Sequence, residues 1–349
     1  MHVCIFFCNF AAYLDKCVKM KRKIAIVAGG YSSEYEVSLR SAAGIKSFLN
    51  HDLYDVTIVC LRQDSWQAQV EEDQWVDIDK NDFSFTYNGS KTRFDFAYIT
   101  IHGTPGENGV LQGYFDMLHM PYSCCGVLAA AITFNKFACN HYLKGFGVRV
   151  ADSILLRRSD LQHLGNEAMT QQILDQVGLP CFIKTNAGGS SFGVTKVKTN
   201  SDIVPAIENA LAEGDEVICE AFMKGVEITC GAYKVANKAV VFPITEVVTS
   251  NEFFDYDAKY NGQVDEITPA RIPDEVRDKV QALTLTIYDI LGCKGIIRID
   301  YILTEGWEIN LLEVNTTPGM TATSFIPQQV RAAGLDIGEV LSEIIEDAL

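Results

Sequence analysis

The sequence predicts an α/β fold with α+β character, and three stretches carry that expectation. The first is Lys23–Gly30, an apolar run ending in a Gly-Gly pair and followed by the helical pattern Tyr35–Ile45. Strand, glycine turn and helix make a βα unit, and such units build parallel sheets. The second is the pair of apolar runs Leu179–Lys184 and Val194–Val197, joined by the Gly/Ser-rich Thr185–Gly193. It reads as a hairpin with a long tip. The third is Arg298–Leu303 followed by Trp307–Asn315, both rich in Ile, Leu and Val, around the turn Thr304-Glu305-Gly306. It reads as a second hairpin.

The totals set the limits. A chain of 349 residues has room for two or three domains and a large core. A hydrophobic share of 48% is that of an ordinary globular protein. The net charge of -16 argues against a nucleic-acid partner, which needs clustered Lys and Arg. A nucleotide needs only a few well-placed cations. The 11 cysteines show no CxxC pair, and an odd number of scattered thiols suits a reducing cytoplasm. No apolar run approaches the ~20 residues of a membrane span.

Residues 1–19 differ from the rest. Val3–Ala12 is apolar but short, interrupted by Asn9, and lacks basic residues before it. It makes a poor signal peptide. Translation is expected to start at Met20, with the preceding segment either untranslated or a disordered extension. After the first strand, Ser32 or Ser33 is expected to cap the helix. Tyr54–Leu61 and Phe94–Ile101 read as further strands of a parallel sheet, whose ligand groups belong at its C-terminal edge. Glu34 and His102 lie just past such strand ends, although a histidine in a glycine-flanked loop is as often structural. The turn after the first strand is not GxGxxG, so no dinucleotide site is indicated.

Pro121–Gly126 reads as a short strand and a boundary, followed by one helix over Leu128–Lys144 that carries Lys136. A helix over Glu167–Val177 precedes the first hairpin. Its tip, Thr185–Gly193, offers open backbone N–H groups and the hydroxyls of Ser190 and Ser191, a cover for a phosphate. It is not a Walker A loop, and a plain solvent loop is the alternative, against which Lys184 at its root counts. Glu216–Thr229 reads as strand, turn and strand. There Glu220 and Glu227 flank Phe222 and Met223, either as an edged apolar slot for a purine and ribose or as core aromatics with edge acids. Phe253–Gly262 mixes aromatic, charged and turn residues and reads as a lid. A long helix, Pro273–Leu291, leads to the second hairpin, and Met320–Pro327 leads to a closing helix.

On a strand, residues two apart share a face. Arg298 and Asp300 therefore point one way together, and so do Glu313 and Asn315. If the strands pair, Asp300, Glu313 and Asn315 converge as three hard oxygen donors. That set suits Mg2+ better than Zn2+, in a site that also takes substrate phosphates. Ordinary strand-end acids facing water are the alternative.

From about Met20 onward, the chain resembles the D-alanine–D-alanine ligases of the ATP-grasp superfamily. The resemblance rests on Gly29–Ser38, His102–Gly109, Gly188–Gly193, Ala258–Tyr260, Arg298–Asp300 and Glu313–Met320, in that order. It implies a three-domain ATP-grasp fold: a parallel-sheet domain over 20–124, a central domain over 125–224, and a C-terminal domain over 225–349. It implies ATP and D-alanine as substrates, a dipeptide made through a D-alanyl phosphate for peptidoglycan synthesis, and a homodimer. Lys136, Lys184, Ser190, Ser191 and Lys259 would contact ATP phosphates, Glu220, Phe222 and Met223 the adenine, and Glu227 the ribose. Asp300, Glu313 and Asn315 would hold two Mg2+ or Mn2+ ions. Glu34 would take the first substrate's ammonium with His102 beside it, and Ser324 and Phe325 would line the substrate site. Arg298 and the Gly319 N–H would face the tetrahedral oxyanion. Tyr260 would link Ser190 to Glu34. Pro105 replaces a glycine of many relatives, and Phe222 and Met223 replace a Trp and a Leu. A D-alanine–D-lactate ligase, another ATP-grasp carboxylate–amine ligase, and a catalytically silent ATP-binding regulator are the rival readings.

Overall fold

The computed structural model describes residues 21–189, 193–236, 238–249 and 264–349. The expectations for residues 1–19 and for Ser190, Ser191, Lys259 and Tyr260 fall outside these. Among the described residues the strands form three sheets.

The first sheet begins with β1 (Arg22–Gly29), which runs parallel to β2 (Tyr54–Leu61) and β7 (Phe96–Ile99). Helix α1 (Tyr35–Phe48) follows the Gly-Gly turn. Only this part is parallel. Residues 62–93, in which no strand is expected, add β3 (Trp66–Glu71), β4 (Gln74–Asp79), β5 (Ser84–Tyr87) and β6 (Ser90–Arg93) as an antiparallel meander. β3, Trp66-Gln-Ala-Gln-Val-Glu71, alternates apolar and polar residues, a strand signal the expectation did not use, whereas β6, Ser90-Lys-Thr-Arg93, has no apolar face. The Pro121–Gly126 segment makes a single bridge, Ala97 with Tyr122, rather than a strand.

Helix α2 (Val110–Met117) packs beside α3 (Val127–Phe134). The single helix expected over Leu128–Lys144 is two, α3 and α4 (Lys136–Lys144). Asn135 between them is extended (φ -90, ψ 99) and bridges Ala187, and its side chain accepts the Ala138 N–H. An Asn that caps a new helix ends the old one. Neither Ser32 nor Ser33 caps α1. The N-cap is Glu34 with no side-chain cap, and Ser32 Oγ instead donates to the His102 carbonyl at 2.7 Å.

The second sheet orders β10 (Thr195–Val197), β9 (Cys181–Thr185), β11 (Glu216–Ala221) and β8 (Ser153–Arg157). Helices α5 (Arg158–Gln176) and α6 (Ile203–Glu213) cover it. α5 starts nine residues before the expected Glu167, with a non-helical Gly165 inside it. The third sheet is built on β12 (Val226–Val235), flanked by β13 (Lys238–Val241), β14 (Thr245–Thr249) and β15 (Val264–Ile267), and on its other side by β16 (Ile297–Leu303) and β17 (Ile309–Asn315). Helix α7 (Asp274–Leu291) packs on β12. Helices α8 (Phe325–Ala332) and α9 (Ile337–Ala348) close the chain.

One apolar cluster joins the first and third sheets, with Ile24, Ile45 and Phe96 packed with Tyr233, Ile296, Ile326 and Leu341. No helix among the described residues is long and apolar enough to cross a membrane. The approach of the chain to Ser123 at Gly295 is close. Gly295 has φ +64, and a Cβ there would overlap the Ser123 carbonyl oxygen. Gly295→Ala therefore combines left-handed strain with a backbone clash. It should destabilise the fold by about 2–4 kcal/mol, read as a lower thermal midpoint. An unchanged midpoint would show that this contact gives way freely.

Candidate active site

The sheets meet around a cavity of about 720 Å³. Glu34, His102, Lys136, Lys184, Glu220, Phe222, Met223, Glu227, Arg298, Asp300, Glu313, Asn315, Gly319, Ser324 and Phe325 all line it. The structure thus brings together every described residue that the sequence singled out.

Strand pairing builds the floor. Arg298 lies opposite Asn315 and Asp300 opposite Glu313, but Tyr301 lies opposite Leu311. Leu312 is therefore an extra residue, a bulge. Without it, Leu312 would face Asp300, and Glu313 and Asn315 would turn to the opposite face of the sheet. With it, Tyr301, Leu311 and Val314 stay in the core while Glu313 and Asn315 enter the cavity.

Arg298 forks onto Asp300, Nε to Oδ1 at 2.9 Å and Nη2 to Oδ2 at 2.8 Å. Asn315 Nδ2 adds a 3.1 Å bond to Asp300 Oδ2. Burial disfavours the Arg298 cation, but the Asp300 carboxylate outweighs it and raises the guanidinium pKa. Glu313 lies 3.9 Å from Arg298 and 4.0 Å from Lys136. Arg298 also stacks on the Phe325 ring at 5.4 Å. Phe325 follows Ser324, whose hydroxyl accepts the Thr321 N–H at 3.1 Å.

The two lysines are placed by different devices. Lys136 heads α4 because Asn135 breaks the helix there. Its backbone N–H bonds the Asn186 carbonyl, and its Nζ reaches the Gly188 carbonyl at 2.5 Å. Burial lowers its pKa, against the pull of Glu313. Lys184, 8% exposed, pairs with Glu220, which is 4% exposed and also accepts from Asn140 at 2.9 Å. Burial opposes the Lys184 charge, but Glu220 outweighs it and the pKa is raised. Beside them Phe222 packs at 5.9 Å from Phe182 and carries Lys196 over its ring at 3.9 Å.

Across the cavity, Ser38 of α1 ties the two ligand-edge loops together. Its hydroxyl accepts the Gly29 N–H and donates to the Thr100 carbonyl. Glu34 then points at the root of the Gly/Ser loop, where a Cβ on Gly189 would collide with its carboxylate. His102 is buried, and Ser41 stands 3.4 Å from its Nε2. Burial holds its pKa below the ordinary value despite Glu34, so the imidazole is neutral at neutral pH. Ser41 also accepts the Met320 N–H, which links His102 to the Gly319-Met320 turn. The sequence reading passed over Ser38, Ser41 and Glu107. The serines recur on one face of α1, which was legible as a polar stripe, and Glu107 lay inside the quoted His102 motif.

Among the described residues, no three His, Cys, Asp or Glu side chains stand close enough to hold a metal ion by themselves. Asp300 and Glu313 as cross-strand partners, with the Asn315 carboxamide, form a hard-oxygen set that is short of ligands. Such a set fits an ion that arrives with phosphate oxygens of its own.

Comparison with known proteins agrees with this geometry. Two family models, described as D-ala D-ala ligase N-terminus and D-ala D-ala ligase C-terminus, match residues 23–125 and 142–346. The D-alanine–D-alanine ligase of Phocaeicola vulgatus is 64% identical over 328 residues, covering 94% of this chain and 99% of its own. That of Porphyromonas gingivalis strain W83 is 53% identical over 331 residues, covering 95% and 99%. Among solved structures, the VanG D-Ala:D-Ser ligase of Enterococcus faecalis superposes with a TM-score of 0.83 at 29% identity, over 95% of this chain and 100% of its own. The Bacillus anthracis D-alanine–D-alanine ligase complexed with ATP gives 0.72 at 27% identity, over 94% and 97%. With both family models matched along its length and near-complete relatives at this identity, the chain belongs to the D-alanine–D-alanine ligase family, with its ATP-grasp fold.

Proposed function

We infer that the protein joins two D-alanines at the expense of ATP, giving D-alanyl-D-alanine, ADP and phosphate for peptidoglycan synthesis. The observation that carries this is the single cavity in which the Glu34–His102 wall faces the Lys136–Lys184 pair and the Arg298–Glu313 floor. The division into units over 20–124, 125–224 and 225–349 belongs to the same reading. So does a cytoplasmic location, which the free, buried state of the eight described cysteines supports. A homodimer is supported by Val110, Met117, Val127 and Leu128, exposed together on the neighbouring helices α2 and α3.

A carboxylate is a poor acyl donor, because oxide would have to leave. Phosphorylation by ATP turns it into a mixed anhydride that an amine can attack. Lys136 and Lys184 hold the phosphates, and on the family resemblance Ser190 and Ser191 would contact them as well. Glu220, Phe222 and Met223 receive the adenine, and Glu227 the ribose. The Glu34 carboxylate binds the donor's ammonium, and neutral His102 packs beside it. Asp300, Glu313 and Asn315 would hold two Mg2+ or Mn2+ ions. When bound, these would screen the repulsion between the donor carboxylate and the γ-phosphate. Arg298 and the Gly319 N–H stabilise the oxyanion that forms when the second amine attacks. The Gly/Ser loop and the 253–262 lid exclude water from the anhydride. Ser324 and Phe325 border the acceptor.

The test is phosphate release from ATP that depends on added D-alanine, with L-alanine and D-lactate as parallel substrates. Release with D-lactate alone as acceptor would favour an ester-forming ligase, and release with no amino acid would overturn the reading. Glu313→Gln keeps size and hydrogen bonding but removes a charge. It should cut turnover at least ~100-fold with the melting temperature little changed. Near-normal turnover at ordinary Mg2+ would remove Glu313 from the metal site. Tyr260→Phe, on the family resemblance, should shift the product towards D-alanyl-D-lactate at equal D-alanine and D-lactate. An unchanged product ratio would take Tyr260 out of the acceptor environment.

A further inference from the structure

The turn that begins at His102 ends in a carboxyl to which no role has been given. Glu107 folds back on it: Oε2 accepts the Gly103 N–H at 2.7 Å, and the Glu107 N–H donates to the Gly103 carbonyl at 2.8 Å. A carboxylate needed only as that clamp could sit in solvent. Glu107 instead lines the cavity on the wall that holds Glu34 and His102. The charged and titratable groups around it come from four directions. Glu34 lies after β1, Lys136 heads α4, Arg298 stands on β16, and the Cys124 thiol lies behind. Burial, then the Glu34 charge, push its pKa up to about 7, against the Gly103 and Thr317 hydrogen bonds and Lys136. Two carboxyls lining one cavity, the charge of one raising the pKa of the other, resist carrying two negative charges until a cation arrives between them.

An ammonium group presents three donors, more than one carboxylate satisfies. We propose that Glu107 is a second carboxyl of the amino-acid pocket, which in its ionised form joins Glu34 in receiving the ammonium of the bound amino acid. The proposal rests on the reading of the cavity as a D-alanine site and adds to it a proton-linked affinity. Binding of the cation draws the proton off Glu107, so the amino acid binds more tightly as pH rises through neutrality. Burial holds the His102 pKa below its ordinary value, so its titration does not follow the rise through neutrality.

The same carboxyl has the opposite effect on the empty protein. A folded-state pKa raised from 4.5 to about 7 means that the fold favours the protonated form. Its contribution to stability is therefore present below the unfolded value and is lost as pH rises from there through about 7.

The experiment compares the full-length wild type with Glu107→Gln and Glu107→Asp at a series of pH values from about 6 to 9. Glutamine keeps the acceptor for Gly103 but cannot ionise. The wild-type KM for the donor D-alanine, measured at saturating acceptor, should fall several-fold across this range. In Glu107→Gln it should stay high, about tenfold above wild type at the alkaline end, with kcat lowered less than KM is raised. Without substrate, Glu107→Gln should melt higher than wild type at the alkaline end and no higher at the acid end. Glu107→Asp, which keeps the charge, should keep a KM that falls with pH. A Glu107→Gln profile of KM parallel to wild type would overturn the proposal. A Glu107→Gln protein less stable than wild type at every pH would also overturn it and leave Glu107 as a turn clamp. Wild-type phosphate release that ignores D-alanine would overturn the functional reading itself, and this proposal with it.

Discussion

The site depends on one extra residue in one strand. Because Leu312 bulges out of the β16–β17 ladder, the alternation of β17 reverses between Leu311 and Glu313. The residues before the bulge feed the apolar core, and those after it turn their charged and amide groups into the cavity. The pairing is then locked by the Arg298–Asp300 fork, which Asn315 reinforces from the neighbouring strand. A fork of this geometry is among the stronger ion pairs available to a protein. Its burial means that losing either partner leaves an uncompensated charge. Register, charge and core are thus fixed together, and none can shift without the others.

The same economy places the cations. An acidic chain concentrates Lys136, Lys184 and Arg298 on one cavity, where low dielectric makes each worth more than on the surface. Each faces a carboxylate that also belongs to the site: Glu313 near Lys136, Glu220 against Lys184, Asp300 against Arg298. An incoming anion therefore competes with the acids already present. That competition favours a ligand bringing several negative charges at once.

Much of this was legible in the sequence. The two hairpins, the Gly-Gly turn and the residues Glu34, Lys184, Arg298, Asp300, Glu313 and Asn315 stood out because strand periodicity and turn residues are local signals. What escaped were features set by distant partners. The helix break at Asn135 depends on pairing with Ala187, and an unpaired Asn inside Leu128–Lys144 looks like any polar helix residue. The antiparallel extension over residues 66–93 ends in β5 and β6, four residues each, too short to show a period, while the alternation of Trp66, Ala68 and Val70 in β3 was legible. The bulge at Leu312 cannot be seen in β17 alone, since two leucines in a row are ordinary in a strand. Ser32 looked like a cap, yet its hydroxyl is taken by a carbonyl 70 residues away.

The contact of Glu34 with Gly189 has a further consequence. The Glu34 carboxylate and the backbone at the root of the Gly/Ser loop touch where a Cβ would not fit. Glu34 and the Gly189 backbone therefore approach each other within one cavity, with no side chain on Gly189 between them. A molecule carrying an ammonium at one end and a phosphate at the other would meet Glu34 and the lysines within the same cavity. Its two ends would raise each other's local concentration, so that two weak fragments add up to a tight ligand without any new contact.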